Sequence, residues 1–217
     1  MILVQPVLEL RAHDGFTLWP ISASAPYGFL PLSGALDDVE VGTAVMRIAA
    51  CNDLDPEDED RAARPPDPLG SFLHGLLTMD DLFASGGLRI TDTSTGVTLL
   101  PGCCNGLDER RDWSEVLDGD GWASFGHDPS PFAERHGDDV RLTVDAERDD
   151  SPVIELPVVR LRRLLDAAEQ DLVDFLGVAA EWAVRVLPDH AVAVSAALAR
   201  ALAGPEPAPP ARSRPGR

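Results

Sequence analysis

From about Val159 to Leu187 the apolar residues return at steps of three and four: Leu161, Leu164, Leu165, Ala168, Leu172, Phe175, Leu176, Ala179, Trp182, Ala183 and Val186. Arg162, Asp166, Glu169, Gln170, Asp174 and Glu181 fall mainly on the other side. That spacing predicts one long amphipathic helix whose apolar stripe must meet a core. Gly177 costs about 1 kcal/mol relative to alanine in an exposed helix interior, and could mark a close contact or a mild bend. Pro188 ends the pattern, and Asp189 can cap a second, alanine-rich helix reaching about Ala203. Gly204 and the proline run from Pro205 to Pro210 then stop regular structure, so residues 204–217 are expected to be a disordered tail.

Strands are expected to supply the surface that the long helix covers. Leu88–Thr91 and Val97–Leu100 flank Asp92-Thr93-Ser94-Thr95-Gly96, a turn-rich stretch with the character of a hairpin loop. Phe132–Arg135 and Val140–Asp145 flank His136-Gly137-Asp138-Asp139, and Val140, Leu142 and Val144 alternate with polar residues as in a strand with one buried face. Val153–Leu156 reads as a further strand. Between the hairpins, Asn105 is placed to cap a helix running to about Leu117, with Asp108 as an acidic version of the capping box. In the first half, Met1–Leu10, Phe16–Ile21 and Val39–Ile48 read as short strands. These elements predict an α+β fold, a largely antiparallel sheet packed by the long C-terminal helix, in a single domain over 1–203 with 1–87 and 88–203 as its two lobes.

Charge narrows the partners. The chain has 217 residues with a formal net charge of −19, and its 18 basic residues are all arginine. The tail holds Arg212, Arg214 and Arg217 against Glu206, so the body is more acidic still. Such a field repels phosphate backbones, which excludes nucleic acid bound through counterion release, and it attracts a basic protein. Asp53, Asp55, Glu57, Asp58, Glu59 and Asp60 crowd into eight residues ahead of Pro65, Pro66 and Pro68, forming an exposed acidic loop shaped for such a partner.

The apolar start is broken by Pro6 and Glu9 without a basic leader, and no window approaches the roughly 18 uninterrupted apolar residues of a membrane span. Cys51, Cys103 and Cys104 are an odd set with two adjacent members, unlike a secreted disulfide framework. The expectation is a reducing cytoplasm and no membrane partner.

Chemistry could reside in three places. Cys103 and Cys104 precede a predicted helix, whose dipole lowers a thiol pKa; Cys104 would be a nucleophile with His127 as base. Cys103, Cys104, His127 and His136 are candidate metal ligands, although zinc's paired spacing is missing and neighbouring cysteines on an extended chain point in opposite directions. His127 and Asp128 could form an acid–base pair. The alternative is structural: cysteine as a small buried apolar residue, Asp128 holding its turn and His127 bonding backbone while Trp122 and Phe125 fill the core, and Trp113 with Asp112 as either a packed anchor or a binding patch. Nothing in the glycine spacing resembles a phosphate cradle, and no cofactor is expected.

Gly102-Cys103-Cys104-Asn105-Gly106-Leu107, then Arg111-Asp112-Trp113, then Gly126-His127-Asp128-Pro129, followed by the long helix, resembles a group of uncharacterised actinobacterial proteins over residues 97–186. Some of these resemble immunity proteins of bacterial toxin systems. The resemblance implies an acidic cytoplasmic protein-binding protein that occupies a basic toxin surface. A small hydrolase or metal-dependent enzyme using Cys104 and His127, or a non-catalytic regulatory scaffold, are the alternatives.

Overall fold

The computed structural model describes residues 1–11, 15–23, 28–54 and 62–203. Asp55, Glu57, Asp58, Glu59 and Asp60 of the acidic stretch, and the expected tail, lie outside the described residues.

The fold is α+β, with two antiparallel four-stranded sheets. In the first, β1 (Ile2–Glu9) is central between β2 (Phe29–Pro31) and β3 (Gly86–Asp92), with β4 (Thr98–Leu99) at the far edge beside β3. The second is a meander of β5 (Trp122–Ser124), β6 (Phe132–His136), β7 (Asp139–Thr143) and β8 (Val153–Pro157). Both expected hairpins form. In the first, Asp92 accepts from the Ser94 backbone and hydroxyl and from Thr95, which closes the turn.

The expected strand over Val39–Ile48 is instead helix α1 (Asp38–Cys51). Asp37 accepts from the backbone N–H of Val39 and Glu40, while Glu40 accepts from the Asp37 N–H, a complete capping box. Val41, Ala44, Val45 and Ile48 are then buried on one side at helical spacing, so the 3.6 period overrides the imperfect alternation. A second helix, α2 (Pro68–Thr78), begins where a proline-rich loop was expected: Asp67 caps it and Pro68 occupies its first turn, where proline's missing N–H costs nothing. Phe16–Ile21 forms no strand. It is an irregular segment that delivers Trp19 into a cluster with Phe16, Phe72 and Trp182, and the indole N–H donates to Gly42 O.

A 3₁₀ turn (Leu107–Asp112) leads into the short helix α3 (Trp113–Asp118). Its cap is Gly106, without a side-chain bond; Asn105, the expected cap, turns inward and donates to Gly86 O and Gly106 O. The long helix is α4 (Val158–Val186), followed by α5 (Ala191–Ala203). A Cβ at Gly177 would meet nothing within 4 Å, so this glycine marks no close contact.

Two cores result, and they do not divide at residue 87. One gathers Leu8, Leu10, α1, α2, α5 and the C-terminal half of α4. The other gathers Ile2, Val4, β3, α3, the inner face of the second sheet and the N-terminal half of α4. β1 and α4 each contribute to both, so burial at the two ends of these elements ties the cores together. Arg110 adds a lock. Its guanidinium, 9% exposed, forks onto the Glu169 carboxylate of α4 and donates to Leu107 O and to Leu202 O near the end of α5. No helix among the described residues is long and apolar enough to cross a membrane.

Candidate functional site

The chain leaving β4 and the chain leaving β5 meet in a short antiparallel bridge. Gly102 N–H donates to Phe125 O at 2.8 Å, and Cys103 and His127 exchange backbone hydrogen bonds in both directions. The approach requires glycine on both sides. At Gly126, with φ of 92°, a Cβ would fall 2.7 Å from Cys103 O; at Gly102 it would collide with Pro129 O and His127 N. Both glycines stand at the front of the Gly-Cys-Cys and Gly-His-Asp-Pro segments. Their role there was open to sequence reasoning and was missed.

This bridge aligns the candidate groups. Cys104 adopts φ of +67°, a left-handed conformation uncommon for a residue with a Cβ, and the alternation expected of neighbouring cysteines is lost. The two sulfurs lie 3.1 Å apart, and with a ring nitrogen of His127 they form a group whose ligand atoms are all within 4.8 Å of one another. Cys104 and His127, distant in sequence, are therefore brought together. His127 Nδ1 is 3.2 Å from Asp128 Oδ2, so the expected His127–Asp128 pair also forms. All of this is at the surface, with the side chains of His127 and Asp128 57% and 81% exposed.

The electrostatics separate the two thiols. The hydrogen bond from Cys103 lowers the pKa of Cys104, with a further lowering from His127. The same interaction, on its donor side, raises that of Cys103. The Asp128 carboxylate, followed by Cys104, raises His127. The arrangement favours a Cys104 thiolate beside a His127 imidazolium, with Cys103 holding its proton.

His136 is not part of this group. It sits at the end of β6, with Nε2 2.9 Å from Glu134, so the four-ligand set expected from the sequence reduces to three among the described residues. Trp113 cannot serve as a surface anchor: it is buried and stacked on Phe125, centroids 4.3 Å apart, because α3 packs its apolar side onto the second core. Asp112 is exposed, and its pKa is raised by partial desolvation, then by Asp108 and Glu115. Asp53, at the start of the acidic stretch, is bound 2.6 Å from Arg64.

The most exposed aromatic among the described residues is Trp122, expected in the core but 55% exposed, while Phe125 close by is buried. Strand register explains it. Trp122, Glu134, Arg141 and Glu155 lie opposite one another across all four strands, on the face turned away from Ala133, Val140 and Leu142. Trp122 stacks on Phe132, centroids 6.0 Å apart, over a hollow of about 520 Å³ that Asp120 and Glu134 also line. Toward β8 the same face holds a second hollow of about 420 Å³, with Asp139, Arg141 and Glu155 at its rim.

No family model, curated protein or solved structure gives a match to this chain.

Proposed function

We propose that this chain is an acidic protein-binding protein of a reducing cytoplasm, and that the open face of β5–β8 docks a basic protein. The observation that carries this reading is Trp122. A half-exposed tryptophan, braced by Phe132 and set in a row with Glu134, Arg141 and Glu155, has the composition of an interface anchor with a charged surround. The net charge of −19 supports a partner of opposite sign, because a field of that size accelerates encounter with a basic surface and repels phosphate. If the expected resemblance of residues 97–186 to a group of uncharacterised actinobacterial proteins, some of them immunity-like, holds, the partner would be a basic toxin held inactive by occupancy of its surface.

The test uses the protein encoded beside this one. Binding is expected to weaken steeply with added salt, and Trp122→Ala is expected to weaken it by about 30-fold or more while leaving the fold intact. Cells producing the neighbouring protein should survive when this chain is co-produced and should lose that protection with Trp122→Ala. Absence of association, or equal affinity in the variant, rejects the reading.

A thiol enzyme is the second reading, favoured by the convergence of Cys104 and His127. Cys104 would be its nucleophile and His127 its base. Protection that survives Cys104→Ser would separate the two readings in favour of binding.

A further inference from the structure

We propose that Cys103, Cys104 and His127 bind one thiophilic divalent cation of the zinc class, with the fourth coordination position open to solvent. This goes beyond the partner-binding reading and does not rest on it.

Two thiolates and an imidazole are the donors that zinc prefers, and the two negative charges match a divalent ion. Tetrahedral bonds of about 2.3 Å to sulfur and about 2.0–2.1 Å to nitrogen place neighbouring ligand atoms about 3.3–3.8 Å apart. The sulfurs, 3.1 Å apart, would have to open to the roughly 3.8 Å of two thiolates on one tetrahedral ion, and the whole group already lies within 4.8 Å, so the adjustment needed is within the reach of side-chain rotation. The convergence depends on the backbone. Along an extended chain neighbouring side chains diverge, and the left-handed turn at Cys104 accompanies sulfurs on the same side. The bridge between Cys103 and His127, permitted by Gly102 and Gly126, fixes the third donor.

An oriented imidazole is the further mark of a built site. Asp128 Oδ2 lies 3.2 Å from His127 Nδ1; with that contact kept, the other ring nitrogen would be the ligand, as in a carboxylate–histidine–metal arrangement. Three protein ligands on an exposed surface leave the fourth place to water or to a donor from a docked molecule.

The full chain, kept reduced with a phosphine, would be titrated with Zn²⁺ against a chromogenic chelator, and with Co²⁺ to read thiolate-to-metal charge-transfer absorption. One equivalent is expected. Cys103→Ser, Cys104→Ser and His127→Ala should each weaken binding on the order of 100-fold or more. Asp128→Asn should weaken it by about 10–100-fold through loss of the orienting bond. Cys51→Ser and His136→Ala should leave it unchanged. Cys104→Ser replaces an exposed side chain, so its far-ultraviolet circular dichroism should match the parent and keep the comparison interpretable. Binding of less than one equivalent, undiminished binding in Cys104→Ser, or bound Co²⁺ without the charge-transfer band would overturn the site.

Discussion

Trp182 and Trp122 show how differently the two halves of this molecule use the same side chain. Trp182 is 2% exposed, set edge-on to Trp19 in a core that α1, α2, α4 and α5 enclose. Trp122 is 55% exposed on a sheet with one face packed and the other open. A helical wrapping consumes its aromatics for stability, whereas a one-sided antiparallel sheet leaves an aromatic for a partner. Trp182→Ala is therefore expected to cost about 3–5 kcal/mol, and Trp122→Ala within about 0.5 kcal/mol, in urea denaturation. Because α4 and β1 feed both cores, the Trp182 variant should still unfold in one transition by fluorescence and circular dichroism. Separate transitions for helix and sheet signals would show that the halves are independent.

The second expected effect tests what joins the halves. Arg110 satisfies two backbone carbonyls, Leu107 O and Leu202 O, in addition to pairing with Glu169. Glu169 is half exposed, so the ion pair contributes less than the carbonyls that removal of the guanidinium would strand. Arg110→Ala is expected to cost about 2–3 kcal/mol. Arg110→Lys should recover only part of this, because an ammonium cannot fork onto a carboxylate and reach both carbonyls with the same geometry. Full recovery by lysine would reduce the contact to simple charge.

A smaller effect, of opposite sign, is expected on the solvent side of α4. Gly177 has open space where a Cβ would go, so Gly177→Ala should stabilise by about 1 kcal/mol through helix propensity and a less flexible unfolded chain. That corresponds to roughly 2–4 °C in thermal melts of a domain of this size. A loss of stability would mean that the glycine answers a constraint outside the described residues.

These contrasts follow how much of the structure was readable from the sequence. α4 and both hairpins were readable because their apolar period and turn chemistry agree with the final burial. α1 carries its capping pair, Asp37 and Glu40, in the sequence, but the imperfect alternation over Val39–Ile48 imitates a strand, and only the spacing of the buried residues together with the caps identifies the helix. The thiol and imidazole candidates were named, but nothing in their separation of more than twenty residues specifies a bridge between the ends of two strands in different sheets. The facing of adjacent cysteines was also hidden, because it accompanies a left-handed φ at Cys104 that no residue type announces. Exposure of Trp122 and burial of Trp113 depended on strand register and helix packing, and both are long-range properties.

The smallest expected effect concerns the first sheet, where the β3–β4 turn depends on one carboxylate. Hydrogen bonds from the Ser94 side chain, followed by its backbone N–H, hold the Asp92 pKa down to about 2. A carboxyl depressed in the folded state stabilises the fold above its unfolded value of about 3.9, and that contribution is lost as pH falls through the folded value. Asp92→Asn keeps the size of the side chain and one acceptor oxygen but cannot titrate. The stability difference between parent and variant should therefore hold steady above about pH 5, shrink between about pH 4 and pH 2, and level off below. Taking the difference cancels the titration of the many other acids common to both proteins. A difference that stays flat across this range would mean that the Ser94 bonds do not depend on the carboxylate charge, and the turn would then be held by backbone geometry alone.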